Sequence, residues 1–221
     1  MVKVNVNNTT WSIPERITID EWVALQKWDF AKEAHWPYII NDLLYIPLEE
    51  FEGADPKSMQ LFMGFLITAI NKRSLKQQPD FNKLKFGEFV DLDCYMAMGV
   101  EKNIHNMLEI LKVETPWANE ALAVIEQFIK WRNTVYKRYK TLFGLEDKDF
   151  VEGPETDEMF NPKEVSRGWY NVIVDLAHED VLKMDLITEE PLEKILTFLQ
   201  IKKEKALAAA QEARKIRNRQ R

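Results

Sequence analysis

Cysteine, histidine and glycine are all scarce in this chain of 221 residues. The lone cysteine, Cys94, excludes an internal disulfide and a zinc site closed by thiolates, and it suits a reducing compartment. The three histidines, His35, His105 and His178, would all have to converge to build an all-histidine metal site. Seven glycines and nine prolines are too few to turn the strands of a β-sandwich or barrel, and they favour helices. No stretch approaches the ~18 consecutive apolar residues of a membrane span; the longest, Leu61 to Ile70, is broken by Gly64 and Thr68. The start, MVKVNVNNTTW, has no long apolar core behind a basic end and does not read as a signal peptide. The phosphate-cradling GxGxxG and GxxxxGK patterns are absent, as are HExxH and the GxSxG elbow, so no motif proposes a cofactor and none is expected.

What is present is a foldable chain with its charge unevenly placed. Apolar residues make up 46% and charged residues 30%, a globular balance. Residues 202–221 hold eight basic side chains against two acidic ones, a net of +6, which leaves −12 on the other 201 residues for the total of −6. An acidic body argues against a broad nucleic-acid surface. A second acidic concentration lies at 146–158, with seven carboxylates against Lys148.

Local patterns predict the elements. Val2, Val4 and Val6 alternate with polar residues, Asn7-Asn8 can turn, and Thr9 to Ile13 can return, which makes a short hairpin. Thr18 and Glu21 form a capping box, with Ile17 and Trp22 as its hydrophobic staple. Pro37 opens a short helix, and Asp55-Pro56 opens a longer one to about Arg73 that is the most apolar segment. Helices are expected from about Gly87 to Met98, closed by Gly99, and from about Glu101 to Lys112. Thr115-Pro116 starts a long helix that Gly144 ends. Its apolar positions step by three and four from Ala118 to Leu142, interrupted only by Arg132. Asn161-Pro162 caps the next helix, with Phe160 as a staple and Val165, Trp169, Val172, Ile173 and Leu176 on its buried face. A short turn around Val181–Met184 follows, then a last helix from near Thr188 whose later part is rich in Ala and basic residues. The whole reads as mainly α: a multi-helix bundle with a short N-terminal β-hairpin and a long basic C-terminal helix. A hairpin-plus-helix body over 1–145, an acidic loop over 146–160 and C-terminal helices over 161–221 are the expected parts, and one continuous domain stays open.

Few side chains suggest chemistry. Glu101, His105 and Glu109 share a helix face at a spacing of four, but the Glu-x-x-His pattern of di-metal bundles is missing. Asp91 and Asp93 are two apart and point away from each other on a helix. His178, Glu179 and Asp180 sit at an expected helix end. Cys94, among Leu92, Tyr95 and Met98, reads as a structural thiol. Lys130, Arg132, Lys137, Arg138 and Lys140 interleave with Trp131, Tyr136 and Tyr139; aromatics facing the core and cations facing water is the favoured arrangement over a single-strand nucleic-acid platform. The basic tail lacks the large apolar face of a membrane-surface helix.

Two stretches carry a resemblance. Lys85 to Leu111, KFGEFVDLDCYMAMGVEKNIHNMLEIL, has an aromatic-Gly-acid-aromatic opening at Phe86 to Phe89, an Asp-Leu-Asp helix, and then Asn103 and His105 before an apolar helix. Gly168 to Lys205, GWYNVIVDLAHEDVLKMDLITEEPLEKILTFLQIKKEK, has Trp169, Leu176-Ala177, Asp180-Val181-Leu182 and a charged final helix after Pro191. Together, 65 of the 221 residues resemble small helical proteins of the tail-morphogenesis region of tailed bacteriophages: tail-assembly chaperones and related baseplate or tail proteins. The resemblance implies non-enzymatic work in the bacterial host cytoplasm during assembly, binding phage tail proteins such as the helical tape-measure protein or baseplate components, with self-association as a further option. Its alternative is a structural virion subunit of the tail, neck or baseplate, and a helical metalloenzyme using Glu101, His105 and Glu109 is a third reading. Wide apolar helix faces suit a helical partner. Trp117, Ile125, Phe128, Val135 and Tyr139 are expected as core or groove, and the arm carrying Lys202, Lys203, Lys205, Arg214 and Arg217 as a contact to a partner or a neighbouring copy.

Overall fold

The computed structural model describes residues 2–6, 9–145 and 161–219. The mainly α reading holds: ten helices follow a single two-stranded hairpin among the described residues. Strands β1 (Val2–Val6) and β2 (Thr9–Ile13) pair antiparallel with Val4 opposite Trp11. The Asn7-Asn8 turn lies outside the described residues. The helices are α1 (Ile19–Leu25), α2 (Trp36–Leu44), α3 (Pro56–Asn71), α4 (Phe86–Ala97) and α5 (Val100–Ile110). They continue as α6 (Ala118–Arg138), α7 (Lys140–Phe143), α8 (Pro162–Ala177), α9 (Val181–Thr188) and α10 (Leu192–Arg219).

By internal contacts the chain divides into two compact units that interleave along the sequence. The first comprises residues 1–79 and 101–126, the second 80–100 and 127–221. The acidic stretch at 146–160, expected as the boundary, lies outside the described residues, and so does the Phe160 staple. The elements on either side of it, α7 and α8, belong to the same unit.

In the first unit α3 is central, as its composition suggested. Its Asp55 cap accepts the Ser58 amide at 3.1 Å. Met59, Phe62, Met63, Leu66 and Ile70 join Trp11 and Ile13 of the hairpin, Leu25 of α1, and Ile39, Ile40 and Leu43 of α2 in one buried cluster. Burying one face of the hairpin on helices gives it the support that two strands alone lack. The Thr18 capping box forms in full: the Thr18 hydroxyl accepts the Glu21 amide at 3.2 Å, and the Glu21 carboxylate accepts the Thr18 amide at 2.6 Å. The backbone beside it pairs with the chain ahead of α6, Ile19 N–H donating to Pro116 and Ala118 N–H to Ile17. That pairing holds Pro116 and Trp117 extended, so α6 starts later than Thr115-Pro116 predicts.

The second unit is built on α4, α8, α9 and α10 with the C-terminal half of α6. The long helix expected to reach Gly144 is interrupted at Tyr139, whose buried ring places its hydroxyl 3.1 Å from Thr197 Oγ1. Gly144 closes α7 in the left-handed conformation at φ +69°. A backbone bond from Phe86 to Glu190 and one from Leu192 to Leu84 tie the start of α4 to the α9–α10 turn. Gly87 makes this approach possible, because a Cβ there would lie 2.8 Å from Thr188 Cβ and 3.2 Å from its carbonyl oxygen. Gly87→Ala is expected to cost about 1–3 kcal/mol despite alanine's better helix propensity, since the contact is to another element's backbone. A melting curve unchanged from wild type would contradict this account.

Candidate functional site

Arg132, which broke the apolar repeat of α6, meets a second charge buried in the same unit. Asp93 of α4 is 2% exposed and Arg132 is 7% exposed. A carboxylate taken out of water must be paired and hydrogen-bonded, and Asp93 is bonded three times. Arg132 Nε donates to Oδ1, the Tyr136 hydroxyl donates to Oδ2 at 2.9 Å, and Trp169 Nε1 of α8 donates to Oδ2 at 2.7 Å. Arg132 Nη2 also donates to the Tyr136 hydroxyl at 3.2 Å, with the guanidinium 4.4 Å from the Tyr136 ring centre. The one-turn spacing of 132 and 136 brings both groups to one carboxylate.

This network forms the polar end of a pocket of about 350 Å³ whose other walls include Leu142, Phe143, Val165, Val172 and Leu199. Trp169 of α8 is buried as expected, but Val165, Val172, Ile173 and Leu176 are only half-buried, and two of them face this open space. Burial pushes the Tyr136 phenol well above the ordinary tyrosine range, and the Asp93 charge adds to it. Burial works against the Arg132 charge, but Tyr136 and Asp93 outweigh it and its pKa is raised. Three of the roughly four acceptor positions on Asp93 are taken, so the arrangement holds this carboxylate in place.

The phenol gives a pH dependence. Folding keeps the Tyr136 proton beyond the usual value near ~10, so on raising the pH the unfolded chain releases it first. The associated stability is intact below about pH 10 and is lost above it as pH rises toward the folded-state value. Tyr136→Phe should flatten this alkaline loss relative to wild type in melting temperatures taken across pH 8 to about 11; parallel profiles would refute the assignment.

The remaining candidates separate. His105 lies on an exposed surface with Nε2 3.0 Å from Asp20 Oδ1. No group of three potential ligands able to hold a metal occurs among the described residues, so Glu101, His105 and Glu109 are not brought into a site. Asp91 is exposed while Asp93 is buried, so the two do not act as a pair. Burial raises the Cys94 thiol, which accepts a hydrogen bond from Ser166 at 3.4 Å, in keeping with an unreactive structural role. His178 takes the left-handed conformation that ends α8. Among the basic and aromatic residues of α6 and α7, Tyr136 and Tyr139 turn inward while Lys130, Lys137, Arg138 and Lys140 are exposed, with Arg132 the exception.

Of the residues expected as core or groove, Ile125, Phe128, Val135 and Tyr139 are core, fully enclosed by this chain, and Trp117 is half-buried under the Arg16 guanidinium. The four core residues offer no open face to a partner. Lys202, Lys205, Arg214 and Arg217 are exposed, and Lys203 is half-buried where it donates to the Leu142 carbonyl at 2.7 Å. From Ile201 to Asn218 every side chain but Lys203 is exposed, so α10 continues as an arm.

The accessible apolar surface lies where the sequence reading placed little. Helix α9 buries no residue, and Leu182, Val181 and Leu186 are 84%, 71% and 68% exposed. Their signal was weak because apolar residues surround α9 without forming a stripe. In the first unit, Leu61 and Phe65 are exposed one turn apart on α3. No helix of the described residues is long and apolar enough to cross a membrane. Compared with protein-family models, curated proteins and solved structures, the chain matches none.

Proposed function

We propose that this chain is a non-enzymatic assembly protein of tailed bacteriophages, holding a helical partner such as the tape-measure protein as a chaperone or adaptor. The observation that supports it best is α9, eight residues of apolar helix with Val181, Leu182 and Leu186 in solvent. Exposed apolar side chains clustered on one helix are costly to leave bare and mark surfaces that other proteins cover. An amphipathic partner helix covers such residues at helical spacing. The resemblance of Gly168 to Lys205 to tail-morphogenesis proteins spans this helix and gives the setting. The acidic balance outside the tail favours a basic segment on the partner and faster encounter.

Co-expression with the tape-measure protein of the same phage tests the reading. A soluble complex that is lost on Leu182→Glu with Leu186→Glu is the expected result. A tape-measure protein equally insoluble with and without this chain would refute it. Mass spectrometry of purified virions separates the chaperone from a structural subunit, because a chaperone leaves no abundant peptides in the particle.

A further inference from the structure

Within the second unit, one exposed helix is greasy and bordered by carboxylates, its own Asp185 balanced by Lys183, while the end of another is basic and exposed. On α9 the spacing of three and four residues brings Val181, Leu182, Asp185 and Leu186 to one outward face. Asp185 lies inside that face, and Asp175 and Glu179 precede it; none of the three has an ion-pair partner among the described residues. The C-terminal arm has the opposite character. Residues 201–218 form about 27 Å of helix at ~1.5 Å per residue. Lys202, Lys205, Arg214, Lys215 and Arg217 there have no ion-pair partner among the described residues, and Leu207 and Ile216 are exposed between them.

We infer that the arm of one copy docks on the α9 face of a second copy. Cations on the arm meet carboxylates beside α9, and Leu207 or Ile216 covers Leu182 and Leu186. Each copy carries both surfaces, so the exchange can be reciprocal and closes as a two-fold dimer. Charge complementarity selects the occupant: α9 asks for a basic helix with scattered apolar residues, and the chain itself supplies one. Exposed ion pairs contribute little each, so the dimer is of the micromolar class and sensitive to salt. The arm and a tape-measure helix would compete for this one face, so the dimer is measured on the chain alone, where failure of the tape-measure reading leaves the result unchanged.

The test is the mass of the full-length chain in solution by light scattering and sedimentation, at concentrations of about 1–100 μM. Twice the 26.1 kDa chain mass is expected at about 50 mM salt, shifting toward monomer at about 500 mM, where screening reaches a few ångströms. Two full-length variants should each be monomeric with wild-type circular dichroism: Leu182→Glu with Leu186→Glu, and Lys202→Glu with Lys205→Glu and Arg214→Glu. Mixed together, the face variant still carries an intact arm and the arm variant an intact face, so the pair should restore a species of double mass. A wild-type chain that stays monomeric at every concentration overturns the proposal. A dimer that survives either variant, or monomeric variants whose mixture does not associate, overturns the pairing of arm with face.

Discussion

Asp93→Ala should destabilise the second unit by about 3–5 kcal/mol, the usual cost of stripping the partner from a buried charge. The loss is large because Arg132 stays behind with no water to replace the carboxylate, and because Trp169 and Tyr136 lose their acceptor at the same moment. At ~2–4 °C per kcal/mol for chains of this size, the melting temperature should fall by roughly 6–20 °C. Hydrogen exchange should lose protection first in α4, α8 and the second half of α6, which the network joins. The control is Asp93→Leu with Arg132→Met, which removes both charges and should recover the part of the loss due to the unpaired charge, while Trp169 and Tyr136 still lack their acceptor. A single variant that melts within a degree of wild type would show that the pair contributes nothing to holding these helices.

Phe89→Ala should cost a comparable 3–5 kcal/mol by a different route, the loss of transfer energy plus the cavity left behind. Phe89 is fully buried, and its ring meets four others edge-on: Trp169 at 5.8 Å, Trp131 at 6.1 Å, Tyr136 at 6.3 Å and Phe128 at 6.5 Å between centres. The near-ultraviolet circular dichroism should collapse further than the far-ultraviolet signal, because the aromatic frame loosens before the helices melt. Urea denaturation gives the energy. Since Phe89 shares Tyr136 and Trp169 with the Asp93 network, the two variants combined should not add. Strict additivity would mean that ring cluster and ion pair are independent.

Helix starts were the most legible part of the sequence because caps act locally: Thr18, Asp55 and Asn161 each accept the amide their position implies. Gly99 was equally plain as a left-handed residue, and Gly144 as a helix end. Tyr139 shows the limit. Its neighbours have helical spacing, and the interruption coincides with a tertiary contact to Thr197 that no local pattern reports. The interleaved units were hidden for the same reason, as composition does not change at residues 79, 100 or 126. For the candidate site, half of the signal was visible. Arg132 stood out as a charge in an apolar seam, but Asp93 sat two residues from Asp91 and only the folded chain shows which of the two is buried. The face on α9 gave no periodic pattern, and the stripe on α6 that did is the core.

The interleaving of the two units bears on synthesis. Residues 1–79 emerge from the ribosome before the 101–126 segment that completes their unit, and at ~5–20 residues per second that wait lasts about 2–9 s. During it, the buried side chains of α3 have the hairpin and α1–α2 around them but lack Ala118, which completes their cluster. The second unit waits longer still, its α4 being made more than 90 residues ahead of α10. The first unit is therefore complete only after part of the second has been made, and no single cut in the gene yields either one free of the other's residues.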